Sequence, residues 1–368
     1  MANKQNQKGG DNSTNVQTEN FVMQVGIDEK RAREVFQEMN LQLRREYAQE
    51  ALEIANDRVR EFENSLMPKM EQVEGALQAF ADPSFQLLVV EAQKAAASTE
   101  RPADYDLLSE LLVHRFRKGD NRIARAGIGL AVEIVDKISD DALLGLTVAH
   151  TVGGFLPMTG DPHQGLDLLD KLFGKIFYGE LPIGQEWLDH LDVLNAVRVS
   201  TFGQLKKVKD YYSKVLSGYI DVGIESGSED HAKAIEILKS HSLSPDLLTK
   251  HSFNSSFFRI PVLNRENIDL MSFKKKNIFE GKEVVVTSTI SQDQKDAIYS
   301  VYDLYSKDVT LRNQNIEAFM IEWDKRPNLK KLKEWWDNIP ISLSITSAGK
   351  VLAHSNAQRC DNSLPPLD

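Results

Sequence analysis

Apolar residues recur at every third or fourth position through residues 82–155, and this spacing predicts four consecutive amphipathic helices. A residue suited to capping a helix stands at the start of each one, and these caps are Asp82, Asp104, Asn121 and Ser139. The intervening connections are short, which favours antiparallel packing of neighbouring helices. Because helices of this length are only marginally stable alone, their apolar stripes are expected to bury one another in an array.

The pattern along the whole chain predicts a mainly α fold, an array of antiparallel amphipathic helices with a small α+β (strand-turn-helix) unit at the C-terminal end. Helical spacing continues from Trp187 to Val197, whereas residues 283–290 and 341–345 have the character of short strands. The lysine run at 274–276 is expected in a solvated turn. The predicted divisions are a polar segment (1–27), a long charged helical segment (28–80), the helical array (81–252), an irregular linker with short strands (253–290) and a C-terminal helical unit with a short strand (291–368).

The polar segment at the start of the chain admits two interpretations. Residues 1–20 consist mostly of Asn, Gln, Gly, Ser and Thr, which cannot bury enough apolar surface to order alone, so one interpretation is a disordered tail. The other is a self-pairing segment in which identical strands stack and their amide side chains form ladders. The residues predicted to associate in this way are Asn12, Asn15, Gln17, Val22, Gln24 and Val25.

An apolar seam runs along the charged helical segment that follows. Its predicted contact residues step by three or four positions and are Tyr47, Ala51, Ala55, Val59 and Phe62. Such a seam either packs on the helical array or pairs with a second copy of the chain. Pro68 is expected to kink or break the helix near its middle.

Composition narrows the class of protein. The chain has 368 residues, is 41% hydrophobic and carries a net charge of -10, so its overall field disfavours nucleic acid. A single cysteine, Cys360, excludes an internal disulfide framework. No apolar run approaches the length of a membrane span, and no secretory signal is visible at the N-terminus. These features predict a cytoplasmic protein without a membrane partner.

Stretches near both ends of the chain carry a family resemblance. Residues 4–17 read KQNQKGGDNSTNVQ, and residues 344–359 read SITSAGKVLAHSNAQR ahead of a closing LPPLD. With ADPSFQ at 81–86 and KGDNR at 118–122, they resemble an uncharacterised bacterial protein family. The resemblance is thin between about residues 160 and 283, and Ala348 replaces the branched residue usual before the C-terminal glycine.

The resemblance implies no established activity and supplies no catalytic residues to transfer. Many bacterial proteins with a related polar N-terminal stretch are encoded near phage-defence genes. The resemblance therefore implies a role in conflict or immunity.

Recognisable catalytic motifs are absent from the sequence. It contains no phosphate-binding loop, no strand-borne dinucleotide motif and no histidine pair with zinc-ligand spacing. We therefore predict no catalytic residues, no metal site and no cofactor. His150 and His190 lie among apolar residues and are expected in the core or at its boundary. A nucleophile–base pair near His241 and His251 remains an alternative, although no nucleophile elbow accompanies it.

Cationic residues flank a predicted turn at Gly119. They are Arg115, Lys118, Arg122 and Arg125, a set suited to binding an anion or an acidic partner. The alternative is that they form salt bridges to the acidic surplus of the chain. Farther on, Trp335 and Trp336 lie beside three lysines, and one ring is expected in the core with the other half-exposed.

The leading functional hypothesis is a non-enzymatic helical interaction protein that self-associates through its N-terminal region, with another protein as a further possible partner. One alternative is a nucleic-acid-binding regulator that uses the winged-helix-like strand-turn-helix unit at residues 341–358. The acidic charge counts against that alternative. A second alternative is an enzyme whose site assembles from residues distant in sequence, since such a site leaves no local motif.

Overall fold

A computed structural model describes residues 27–43, 49–119, 121–200, 202–279 and 282–367, and its mainly α character confirms the predicted fold class. The α-helices are α1 (Glu29–Leu43), α2 (Gln49–Glu71), α3 (Pro83–Ser98), α4 (Ala103–Arg117), α5 (Arg122–Ile134), α6 (Asp140–Gly154), α7 (Pro162–Ile176), α8 (Glu186–Val193), α9 (Val208–Val215), α10 (Ser217–Ile220), α11 (Glu229–Ser240), α12 (Gln292–Asp303), α13 (Val309–Asp324), α14 (Pro327–Trp336) and α15 (Ser347–Cys360). The strands are β1 (Val197–Ser200), β2 (Ile224–Glu225), β3 (Thr249–Lys250), β4 (Phe257–Arg259), β5 (Ser272–Phe279), β6 (Lys282–Thr289) and β7 (Ser342–Ile345).

Local capping signals locate most helix starts in the array. The carboxylate of Asp82 accepts hydrogen bonds from two backbone amides of α3, and Asn121 and Ser139 cap α5 and α6 in the same way. The expectation for Asp104 is wrong, because α4 begins at Ala103 with Pro102 at its N-cap, so that Asp104 lies inside the helix. The Asp104 carboxylate is instead buried and accepts hydrogen bonds from the Thr99 hydroxyl and the Arg101 guanidinium.

The C-terminal helix α15 lies inside the array and not beside it. It packs against α4, α5, α6 and α7, and buried side chains run along it from Ala348 to Ala357. Helices α13 and α14 add three tryptophans to the same continuous hydrophobic core, which extends back to α1 and α2. The helix that follows all the others in sequence therefore completes the core that the others form.

The apolar seam of the charged segment is buried within the chain. On α2, Ala55, Val59 and Phe62 belong to the main core, and α2 packs against α1, α3 and α4. Pro68 lies in the last turn of α2, near its end at Glu71, and so does not break a helix in its middle. Packing within the chain therefore occupies the seam from Ala55 to Phe62.

A short strand replaces the predicted end of the helix after Trp187. Helix α8 ends at Val193, Asn195 adopts a left-handed conformation (φ 58°), and β1 begins at Val197. Strand β1 pairs antiparallel with β7, with Val197 opposite Ile345. Pairing with a strand nearly 150 residues later therefore overrides the local helical spacing.

Residues 224–305 form a small lobe with a hydrophobic core of its own. Helix α11 packs there against α12 and against β2, the first strand of the sheet of order β2-β4-β3. The hairpin of β5 and β6 also belongs to this stretch, with Ser272 opposite Thr289 at its base. Residues 274–276 lie in β5, so the solvated turn expected for these lysines is wrong.

One buried arginine joins the small lobe to the main body. Arg259 on β4 is 2% exposed and donates to the carbonyl oxygens of Gly218 (2.9 Å) and Gly160. Burial lowers the pKa of its guanidinium. Because carbonyl oxygens are its described hydrogen-bond partners, the contact holds two backbone segments of the main body against the lobe.

Candidate functional site

The start of α15 is fixed by contacts with β1. The hydroxyl of Thr346 accepts a hydrogen bond from the Gly349 amide (3.1 Å) and donates to the Asn195 carbonyl (2.7 Å). Gly349 lies so close to the Ala196 carbonyl that no larger residue fits there. Thr346 and Gly349, both in the C-terminal stretch that carries the family resemblance, therefore position this helix.

Two histidines meet in the core beneath the middle of α15. The Nε2 of His150 lies 3.1 Å from the Nδ1 of His354, whose Nε2 lies 2.9 Å from the Pro365 carbonyl oxygen. Because a carbonyl only accepts, His354 carries its proton on Nε2 and His150 donates from its own Nε2. The core position expected for His150 is confirmed, and the pair ties α6 to the tail that follows α15.

Burial keeps two histidines of this region, His150 and His114, uncharged at neutral pH. It lowers the pKa of His150 to about 4, and it lowers the pKa of nearby His114 on α4 to about 4 as well. Among the described residues, His114 Nε2 has no hydrogen-bond partner. Protonation of a neutral, buried histidine ring is costly. We therefore expect a fall in pH to destabilise this part of the core.

A polar cluster projects from the last turns of α15. The buried Asn356 amide donates to the Thr147 hydroxyl (2.8 Å) and the Tyr178 hydroxyl (3.1 Å), while its oxygen accepts from Arg359 Nε (2.9 Å). The Arg359 guanidinium lies 5.2 Å from the centre of the Tyr178 ring. Tyr178 is 43% exposed, but desolvation of its hydroxyl raises its pKa to about 12, so this phenol keeps its proton.

The cluster opens onto a cleft between α4, α6 and α15, which we call the central cleft. Its volume is about 480 Å³, and its lining includes Leu107, Leu143 and Leu144 beside Arg359 and Tyr178. Four carboxylates and one further guanidinium complete the charged lining; these are Glu100, Asp104, Asp140, Asp141 and Arg101.

Within the cleft, Arg101 is occupied by the protein itself. Its guanidinium donates to Asp104 (3.0 Å), to Asp140 (2.8 Å) and to the Val135 carbonyl (2.6 Å). This network ties the start of α4 to the end of α5 and the start of α6. Arg359 is therefore the guanidinium in the cleft that has capacity for a ligand.

The predicted basic corner divides into structural and exposed residues. Arg115 is buried and donates to the Ser84 hydroxyl and the Gly119 carbonyl, and Arg125 also donates to Gly119. These two side chains therefore stabilise the turn after α4. Lys118 is half-buried at the C-cap of α4, and Arg122 is exposed at the start of α5.

Beside Arg122, one face of α5 exposes apolar residues. Ile123 is 77% exposed, Leu130 is 47% exposed, and Ala126 lies between them on the same face. A groove of about 640 Å³ runs along these residues and is also lined by Arg122 and Arg198. We use the name α5 face for this surface, which consists of Arg122, Ile123, Ala126 and Leu130 on α5 together with Arg198 on β1.

Most residues predicted for self-association lie outside the described part of the chain. These are Asn12, Asn15, Gln17, Val22, Gln24, Val25 and Tyr47. Of the remainder, Ala51 is exposed on α2, whereas Ala55, Val59 and Phe62 are buried in the core of their own chain.

Other candidate functional residues are buried and make hydrogen bonds within the protein. Both indoles of the tryptophan pair are buried and donate to carbonyls, Trp335 to Pro182 and Trp336 to Lys206, so the expected half-exposed ring is wrong. His251 is buried, accepts from the Phe253 amide and lies 3.1 Å from a backbone carbonyl.

No group of three His, Cys, Asp or Glu side chains within the described ranges is placed to hold a metal ion. Across those same ranges, every helix is too short or too polar to span a bilayer.

The sequence carries little local sign of the central cleft, because the residues that line it are far apart along the chain. Tyr178 follows α7, Asp104 lies on α4, and Arg359 lies on α15. The one local signal was the spacing of Asn356 and Arg359, which places both on the same side of a helix.

A protein-family model described only as ":-like" matches residues 26–364, and the chain belongs to that family. This agrees with the resemblance to an uncharacterised family. The description names no activity, ligand or partner. Neither the curated proteins nor the solved structures include a match.

Proposed function

We propose that this protein is a non-enzymatic, cytoplasmic interaction protein that self-associates, and that the α5 face is a contact between copies. The observation that carries the proposal is the exposure of Ile123 and Leu130 on one side of a helix whose other side is buried. An apolar stripe left in water beside a groove is typical of a surface that binds another protein.

Charge favours a second copy of the chain as the occupant. Arg122 and Arg198 border the stripe, while the whole chain has 54 acidic side chains against 44 basic ones. Two α5 faces would repel each other, so the favourable contact is head to tail, between the α5 face and an acidic surface of the next copy. A contact of this kind need not close and allows growth into larger assemblies.

The N-terminal segment retains its proposed part in assembly. Asn12, Asn15, Gln17 and Gln24 are residue types that form ladders when identical strands stack. Copies aligned through the α5 face would raise the local concentration of these segments and so favour their pairing. The link to phage defence remains an inference from the family resemblance.

The alternative of nucleic-acid binding finds little support in the surroundings of α15. A reading helix needs an exposed face that enters a groove, whereas α15 is buried along most of its length. The buried indoles of Trp335 and Trp336 likewise leave no ring free to stack on a base.

Sedimentation velocity over a hundred-fold range of protein concentration tests the proposal. We expect the wild type to form larger species as concentration rises, and added salt to reduce them because the rim of the contact is charged. The double variant Ile123→Lys/Leu130→Lys should shift the distribution to monomer. Its control is Leu270→Lys/Ile321→Lys, which alters two other exposed apolar residues and should assemble as the wild type does.

Two further chains separate the contributions of the two regions. Mass photometry of a chain beginning at Asp28, and of the Val22→Lys/Val25→Lys variant, should show loss of the largest species with helix content nearly unchanged. A wild type that stays monomeric at every concentration would contradict self-association. An Ile123→Lys/Leu130→Lys variant that assembles normally would exclude the α5 face as the contact.

A further inference from the structure

We propose that the central cleft binds a small apolar amino acid, or a related aminocarboxylate, and that Arg359 and Tyr178 hold its carboxylate. The proposal rests on three features of the cleft: an unoccupied guanidinium, an apolar floor and an acidic wall. It is independent of self-association through the α5 face.

Arg359 is oriented by the protein but not saturated by it. Its Nε donates to Asn356, which fixes the plane of the guanidinium. Its two terminal nitrogens make no hydrogen bond or ion pair within the described part of the chain. A planar guanidinium held in this way presents parallel N–H groups that match the two oxygens of a carboxylate.

Tyr178 supplies a second donor next to Arg359. Its hydroxyl oxygen accepts from the Asn356 amide, and none of the described residues accepts its proton. That proton is available to a ligand oxygen bound on the guanidinium. One buried side chain, Asn356, therefore orients both groups that would hold the anion.

The other residues that line the cleft determine which side chain and which second charged group of a ligand can bind. Leu107, Leu143 and Leu144 provide an apolar surface for a hydrocarbon side chain. The lining contains four carboxylates and two guanidiniums, so a polyanion such as a nucleoside triphosphate would be repelled. Asp141 is not paired with Arg101 and suits the ammonium group of a zwitterion, whereas Glu100 lies 3.9 Å from the Arg58 guanidinium.

The experiment uses L-leucine and L-phenylalanine as probes, with binding measured by ligand-observed NMR and isothermal titration calorimetry. L-leucinamide lacks the carboxylate, and 4-methylpentanoate lacks the ammonium group. We expect at least one of the two amino acids to bind, and each of the two analogues to bind about tenfold more weakly than L-leucine or not at all. Inorganic phosphate should not compete.

Three variants locate the binding. Arg359→Met should weaken binding about tenfold or more, because it removes the bidentate donor. Arg359→Lys should restore only part of the affinity, and Tyr178→Phe should weaken it by a smaller factor. Arg60→Met, which removes an exposed arginine on α2 paired with Asp57, is the matched control and should bind as the wild type does.

Thermal unfolding establishes that each variant is folded before its affinity is compared. Binding of neither amino acid to the wild type would overturn the proposal. So would unchanged affinity in a folded Arg359→Met variant, or competition by phosphate at similar concentration, which would show a general anion site.

Discussion

The backbone of Gly349 lies directly against the carbonyl oxygen of Ala196, so that a Cβ at Gly349 would fall 1.9 Å from that oxygen. This contact joins the first turn of α15 to the start of β1. A rotation of a side chain could not relieve the clash with such a Cβ, because the opposing atom belongs to the backbone. The two segments can approach this closely only while residue 349 is glycine.

Gly349→Ala is therefore expected to destabilise the protein, although alanine is normally the better helix former. Overpacking against a backbone carbonyl should cost about 3 kcal/mol in the free energy of unfolding, measured by urea titration. Gly129→Ala on α5 is the matched control, because a Cβ there meets nothing within 4 Å. The control should stabilise the protein by about 0.5–1 kcal/mol. Equal effects of the two substitutions would contradict the close approach.

Acid is expected to destabilise the fold through buried histidines. Burial lowers the pKa of His114, His150 and His251 to about 4 each, against about 6.5 in an unfolded chain. The unfolded state therefore binds more protons below pH 6.5. Stability should be fully present above that pH and should fall as pH decreases toward about 4, by roughly 3 kcal/mol for each histidine at the lower limit.

The free energy of unfolding, measured by urea titration from pH 7 to pH 5, checks this dependence. His150→Gln keeps a donor toward His354 but does not titrate, so its stability should change less steeply with pH. His241→Asn, which replaces an exposed histidine, is the control variant. A wild type of constant stability across this range would show that the three rings are solvated.

Charges placed in the array core should unfold the protein. Leu111, Ile134 and Leu144 are at most 7% exposed, so Leu111→Asp, Ile134→Asp and Leu144→Asp each remove an apolar side chain from the core and place a carboxylate in a desolvated position. We expect loss of the cooperative thermal transition in all three. Leu87→Asp is the control, since Leu87 is 70% exposed on α3, and it should melt near the wild-type temperature.

Replacement of Arg259 should weaken the contact between the main body and the small lobe. Arg259→Met leaves carbonyl oxygens, including those of Gly160 and Gly218, without their buried donor, at a cost of about 3 kcal/mol or more. Hydrogen exchange should rise at the backbone segments on both sides of the contact. Arg265→Met, which breaks an exposed pair with Asp303, should cost at most about 1 kcal/mol. Equal losses in both variants would exclude the joining role of Arg259.

Helices and their caps could be predicted because their signals are local. The interactions of Asp82, Asn121 and Ser139 each lie within three residues of the cap. The capping box that Ser291 and Gln294 form at the start of α12 is equally local. Such contacts form within one turn, so the sequence alone specifies them.

The central cleft and the position of α15 could not be predicted in this way. Val197 lies in a strand because Ile345 pairs with it, and no property of residues 187–197 encodes that partner. Likewise Tyr178 and Arg359 have ordinary local surroundings and become neighbours only after α15 packs. Periodicity indicates which face of a helix is buried, but not which other helix covers it.

The placement of α15 also sets the timing of folding during synthesis. His150 and His354 are 204 residues apart, so at typical rates of translation about 10–40 s separate their emergence from the ribosome. Throughout that interval α4, α5 and α6 lack the helix that fills the space between them. In a chain interrupted before residue 347, the faces of α4, α5 and α6 that pack on α15 are left uncovered, so we expect chaperones and proteases to act on such a chain more readily than on one that includes α15.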